Sequence, residues 1–181
     1  CSAKMGVAEI EVDKNDPTFN IFKAQAEYIQ GNQTAAWTLF NENPTPVGTI
    51  VRKLNPDFSF WLIKRCLDKE QVDIAKKIGQ ELYIWAVREK GSLDVTQEGK
   101  LKIAMGDIAF KDGNFVRAKS QYNIIVSSRV YRGTDEEFYA YLGIVNVDMT
   151  TKDYAAALTT LERLIQEPNK ERKMQAYHMR A

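Results

Sequence analysis

The apolar residues of the chain recur at helical spacing in four segments that share one order of features. Each segment has an apolar stretch at three- and four-residue intervals, then a short turn, then an alanine followed by further apolar residues. These alanines are Ala36, Ala75, Ala118 and Ala157, which lie 39, 43 and 39 residues apart. The pattern predicts an all-α fold of four helix pairs, because one pair cannot bury its apolar face alone and has to stack on a neighbour.

Signals for helix ends agree with this division. Asp16–Pro17 and Asn55–Pro56 each place a capping residue before a proline at the first helical position. Thr134 with Glu137 predicts a capping box. The prolines and glycine of residues 44–48 predict a loop, followed by a short helical insert around residues 49–54.

The predicted domain organisation is a tether over residues 1–16 and one helical domain over residues 17–181. Residues 169–181 follow the fourth pair and have helical propensity, which predicts a terminal helix. That helix would be either a capping helix or the first helix of a further repeat in a longer chain.

The residues of the third and fourth segments resemble the tetratricopeptide repeat (TPR). The third has Gly106, the turn Gly113-Asn114-Phe115, Ala118 and Tyr122, and the fourth has Tyr139, Leu142-Gly143, Tyr154, Ala157 and Pro168. The resemblance implies a right-handed superhelical solenoid of antiparallel helix pairs. The spacing exceeds the 34 residues of the plain motif, so longer helices or connections are expected, and other arrays of helix pairs stay open.

Composition removes several classes of function. Lys plus Arg number 25 against 24 Asp plus Glu, so a near-neutral chain is a poor candidate for binding nucleic acid. One His (His178) and two Cys (Cys1 and Cys66) cannot build a Cys/His zinc site. Cys66 is expected to be a buried, inert thiol. The sequence therefore predicts no catalytic residues, no metal and no cofactor.

The first residues resemble the start of a mature bacterial lipoprotein. The sequence opens on Cys1-Ser2 and continues with a polar segment. The resemblance implies an acylated Cys1 and an anchor at the periplasmic face of a bacterial membrane, with Ser2 favouring the outer membrane. The alternative is that Cys1 is a cloning remnant and the protein is cytoplasmic.

The TPR resemblance also implies where a partner would bind. In that family the first helices of the pairs line the concave face, and a chaperone-binding clamp of Lys, Asn and Arg is absent from the matching positions here. The groove that remains mixes apolar, aromatic and charged residues, which suits an amphipathic helix or an extended peptide. The predicted groove residues are Phe60, Trp61, Lys64, Ile103, Asp107, Phe110, Lys111, Tyr141 and Ile144.

The function expected from these features is a non-catalytic scaffold or adaptor that binds another polypeptide, in a pilus, secretion or outer-membrane assembly. Two alternatives stay open. One is a cytoplasmic regulatory or secretion-chaperone module, and the other is the repeat domain of a larger enzyme. An oligomer is also compatible with the sequence, because the end of a solenoid without a polar cap can stack on another copy.

Overall fold

The computed structural model describes residues 17–42 and 50–166, and within these ranges the protein is all-helical, with no strand. The predicted fold class is confirmed at this level. Two 3-10 turns, Val51–Lys53 and Arg129–Tyr131, join the α-helices, and the first of them confirms the predicted helical insert. The α-helices are α1 (Pro17–Ile29), α2 (Gln33–Glu42), α3 (Pro56–Asp68), α4 (Val72–Arg88), α5 (Val95–Lys111), α6 (Phe115–Val126), α7 (Asp135–Thr150) and α8 (Tyr154–Ile165).

Three of the sequence predictions lie outside the described residues. They are the tether with its Cys1, the loop at residues 44–48 and the terminal helix at residues 169–181 that contains His178. Among the described helices, none is both long enough and apolar enough to cross a membrane.

The chain divides into two compact units, residues 1–46 and residues 47–181. The first unit contains the pair α1 and α2, which pack against each other. Ala24 of α1 and Ala36 of α2 are both fully buried, and so is nearly all of Phe40. The small side chains that the sequence places at this crossing therefore let the two helices approach closely.

The second unit contains α3 to α8 in a regular order. Each helix packs against the next one along the chain, and α5 also packs against both α3 and α7. The odd-numbered helices therefore form one continuous layer. Behind them, α4 lies against α3 and α5, α6 against α5 and α7, and α8 against α7.

All four helix pairs turn in the same way. The turn residues Gly31, Glu70, Gly113 and Lys152 have positive φ angles of 87°, 58°, 76° and 64°. In each turn the next residue donates its N–H to the carbonyl five residues earlier, at 2.8 Å, which is the closure of a Schellman motif. The turns are 39, 43 and 39 residues apart, the spacing already seen in the alanines. Helices α4 and α5, of 17 residues each, account for the longer middle interval.

Two of the predicted helix starts can be examined. The Asn55 side chain accepts a hydrogen bond from the Asp57 N–H at 2.8 Å, as expected. Thr134 caps α7 through the Glu137 N–H at 3.3 Å. The reciprocal bond of a capping box is absent, because the Glu137 carboxylate accepts from the Gly133 N–H at 2.7 Å. The Thr134 N–H instead donates to the Tyr131 carbonyl.

A single aromatic ring fills the space between α5 and α7. Tyr122 of α6 is 2% exposed, and Gly106 and Gly143 lie against its ring on α5 and α7. A Cβ added at Gly143 would come within 2.5 Å of the Tyr122 Cζ, so neither an alanine nor a larger residue fits there. Gly106 and Gly143, which the sequence places on the first helices of their pairs, are therefore small because the ring packs closely against both.

Candidate functional site

The layer of α3, α5 and α7 has an open groove of about 450 Å³ on its surface. Counting back from the left-handed turn residue of each pair gives equivalent positions on the three helices. Ten residues before the turn lie Phe60, Ile103 and Leu142, which form an apolar row across the groove. The groove is lined by Phe60, Ile63, Lys64, Leu67, Lys100, Ile103, Ala104, Asp107, Tyr139, Leu142, Gly143 and Asn146.

A polar row lies on one side of this apolar row, thirteen residues before the turns. It consists of Asp57, Lys100 and Tyr139. The Lys100 Nζ pairs with the Asp57 Oδ1 at 2.7 Å, so that α5 and α3 are joined at this edge. The ammonium of Lys100 therefore already has a counter-charge from the protein. The third member of the row, Tyr139, is 53% exposed.

A second polar row lies on the other side, six residues before the turns. It consists of Lys64, Asp107 and Asn146. The Tyr122 hydroxyl reaches Asp107 from below and donates to its Oδ1 at 2.6 Å. The second carboxylate oxygen has no hydrogen-bond partner among the described residues. Because Asp107 lines the groove, this oxygen is an acceptor that a ligand in the groove can use.

Burial raises the pKa of Asp107 from 3.8 to about 6. The hydrogen bond from Tyr122 and the nearby charge of Lys64 lower this pKa, and Asp68 raises it. The protein's own partners therefore do not fully offset the loss of water around the carboxylate. Burial, and after it the charge and hydrogen bond of Asp107, raise the pKa of Tyr122, so its phenol stays a neutral donor at all ordinary pH values.

Four of the predicted groove residues, namely Phe60, Lys64, Ile103 and Asp107, line the groove together. Three others do not. The Trp61 ring stacks on Phe58 with centroids 5.7 Å apart, and the Arg65 guanidinium lies over it. The Phe110 ring packs edge-on against Phe115. The Lys111 Nζ pairs with the Glu70 Oε1 at 2.8 Å.

Tyr141 and Ile144, also predicted for this groove, lie on another surface. They line a separate cavity of about 580 Å³ formed with α6 and α8. The Arg163 guanidinium lies 4.7 Å from the centre of the Tyr141 ring. At the base of the same cavity Asp148 is 2% exposed, and its Oδ1 accepts from the Lys119 Nζ at 2.5 Å.

The wrong assignment of groove residues on α7 has a definite cause. Tyr141 and Ile144 are the groove positions on α7 only if Gly143 is equivalent to Gly106, whereas the turns align Gly106 with Val145, both seven residues before the turn residue. The assignment on α7 was therefore two residues out. Adding the 39-residue interval between Ala118 and Ala157 to Ile103 and Asp107 identifies Leu142 and Asn146, the groove residues that were missed.

The side chains that line the groove supply apolar contacts, charges and hydrogen-bonding groups. The one thiol of the described residues, Cys66, is fully buried, and burial raises its pKa to about 12. The described residues contain no group of three His, Cys, Asp or Glu side chains that could hold a metal ion. No protein-family model, curated protein or solved structure matches the chain. An apolar row between two polar rows is an arrangement suited to holding a polypeptide segment.

Proposed function

We propose that the protein is a non-catalytic adaptor of the tetratricopeptide type, which binds a segment of another polypeptide in the groove of α3, α5 and α7. The observation that carries the proposal is the apolar row of Phe60, Ile103 and Leu142 with a polar row on either side. An amphipathic segment fits this arrangement, because its apolar side chains can cover the middle row while its polar side chains meet the outer rows.

Features of the backbone support the repeat assignment. The same turn, with the same 2.8 Å hydrogen bond, recurs in four pairs at intervals of 39, 43 and 39 residues. The second-helix alanines Ala36, Ala75, Ala118 and Ala157 are all at most 1% exposed. In the family that the sequence resembles, the first helices line the binding face, and here the groove is lined by α3, α5 and α7, the first helices of their pairs.

The experiment is a selection from a random peptide library on the immobilised full chain, followed by affinity measurement with fluorescently labelled peptides. Ile103→Arg places a charge in the apolar row, and we expect it to weaken the selected peptides by about a hundredfold, roughly 3 kcal/mol. Ile124→Arg is the matched control, because Ile124 is 44% exposed on α6, outside the residues that line the groove.

Circular dichroism and thermal unfolding of both variants would show that each still folds. Equal binding by the wild type and Ile103→Arg would contradict the proposal and move the interface to another face. A selection that enriches no peptide would contradict it as well.

A further inference from the structure

We infer that the bound segment carries a lysine or arginine, and that its cation is placed against the free carboxylate oxygen of Asp107. This inference rests on the proposed function and specifies the partner's chemistry. It differs in sign from a clamp for a carboxylate, because the fixed charge at the base of the groove is negative.

The first support is the way Asp107 is held. Its Oδ1 is bound by the Tyr122 hydroxyl at 2.6 Å, and the Tyr122 ring is enclosed by Gly106 and Gly143. The carboxylate therefore has a fixed position before any ligand arrives, with its other oxygen free of protein partners among the described residues. A partner that is already in place loses less conformational entropy on binding.

The second support is the charge around Asp107. From α3 come Lys64, which lowers its pKa, and Asp68, which raises it. From α6 comes the neutral Tyr122, and from α7 the groove lining has only the neutral Asn146 and Tyr139. Because burial still raises the pKa of Asp107 to about 6, a further cation at this place would stabilise the ionised carboxylate.

The lysines of the groove favour an anionic occupant less than Asp107 favours a cationic one. Lys100 already pairs with Asp57 at 2.7 Å. Lys64 is exposed and forms no ion pair among the described residues, although its charge lowers the pKa of Asp107. A solvated ammonium at a rim contributes little to affinity, whereas a partly buried carboxylate without a full set of partners gains more from an incoming charge.

The experiment uses the peptides selected on the full chain. In each one, every lysine and arginine is replaced singly by glutamine, and affinities are measured for the wild type and for Asp107→Asn. The amide keeps an oxygen that can accept from Tyr122, so the variant retains the local hydrogen bond. Asp73→Asn is the matched control, since Asp73 is an exposed residue of α4 outside the groove lining.

We expect that replacing one particular basic residue of the peptide weakens its affinity about tenfold for the wild type and for the Asp73→Asn control. For Asp107→Asn the same replacement should weaken the affinity by less than about twofold. Lys64→Gln should strengthen binding by about twofold, because it removes a like charge near the incoming cation. The carboxyl resonance of Asp107, followed by carbon NMR, should titrate near its pKa of about 6 in the free protein and at lower pH with peptide bound.

Two results would overturn this inference and leave the proposed function standing, for peptides whose binding is weakened by Ile103→Arg. One is that such peptides need no basic residue, and the other is that they bind Asp107→Asn as tightly as the wild type. Weaker binding by Lys64→Gln, together with an essential acidic residue in the peptide, would show an anionic occupant instead. Binding that is insensitive to Ile103→Arg would overturn the proposed function, and this inference with it.

Discussion

Two junctions between helix pairs in the second unit solve the same packing problem with different side chains. Where α4 meets α5, a Cβ added at Gly79 would meet the Ile108 Cδ1 at 2.7 Å and the Met105 Sδ at 3.1 Å, which are the far ends of flexible side chains. Where α6 lies between α5 and α7, Gly106 and Gly143 face the flat ring of Tyr122.

The difference decides what each junction can do besides holding helices together. The aliphatic side chains at Gly79 end within the core. The ring of Tyr122 carries a hydroxyl that passes beyond the core to Asp107 at the groove. The second junction therefore couples helix packing to the candidate site, and the first does not.

The two junctions also differ in how deeply their ion pairs are buried. Near the first, Lys76 pairs with Asp112 and Lys111 with Glu70, and the side chains are 33% to 74% exposed. At the second, the side chain of Asp148 is only 3% exposed where it meets Lys119. Exposed pairs of this kind contribute little, while a buried carboxylate that loses its partner is costly.

The largest expected effect comes from adding one methyl group at each junction. Gly143→Ala should lower the free energy of unfolding by about 3 kcal/mol, because the new Cβ would lie 2.5 Å from the rigid Tyr122 ring. Gly79→Ala should stay within about 1 kcal/mol of wild type, since flexible side chains can move and alanine has the higher helix propensity. Urea unfolding measures both, and equal losses would show that the ring yields as readily as the aliphatic side chains do.

A smaller effect is expected from the ion pairs. Lys119→Met should cost about 2 kcal/mol, because it leaves the Asp148 carboxylate buried with no partner for either oxygen among the described residues. Lys111→Met removes an exposed pair and should cost less than about 0.5 kcal/mol. Adding Asp148→Asn to Lys119→Met should recover part of the loss in the same urea measurements. No recovery would contradict the idea that the unpaired Asp148 carboxylate causes the loss.

Much of the fold could be predicted because it depends on local signals. Small residues at Ala118 and Ala157 mark helix crossings, and Asn55 marks a helix start. The turns at Glu70 and Lys152 could not be predicted from residue type, since both take a left-handed φ that usually selects glycine. Packing of the helices around them outweighs a local cost of about 1 kcal/mol or more at each turn.

The candidate site was predictable on α3 and α5 but not on α7. On α7 both Leu142-Gly143 and the residues near Val145 present small or apolar side chains, so residue type alone does not show which glycine corresponds to Gly106. The role of Tyr122 was equally hidden. Its hydroxyl reaches Asp107, 15 residues earlier in the chain, only because two glycines let the ring pass between the helices.

The smallest expected effect tests the connection from Tyr122 to the groove through the pH dependence of stability. The folded-state pKa of Asp107, about 6, lies above its ordinary value of 3.8, so between these values the folded state binds more protons than the unfolded one. The contribution of Asp107 to the free energy of unfolding therefore becomes less favourable for the folded state as pH rises through about 4 to 6. The difference between the two values sets an upper bound of about 3 kcal/mol, and solvent in the groove reduces it to an expected value of about 1 kcal/mol.

The free energy of unfolding of Asp107→Asn should therefore equal that of the wild type near pH 4 and exceed it by about 1 kcal/mol at pH 7. Urea unfolding across this pH range measures the difference. Tyr122→Phe removes a bond that lowers the pKa of Asp107, so it should extend the pH-dependent range upward. Asp73→Asn should follow the wild-type profile. A constant difference between wild type and Asp107→Asn at every pH would mean that the carboxylate is fully compensated in the free protein. The junction at Tyr122 would then serve packing alone, as the junction at Gly79 does.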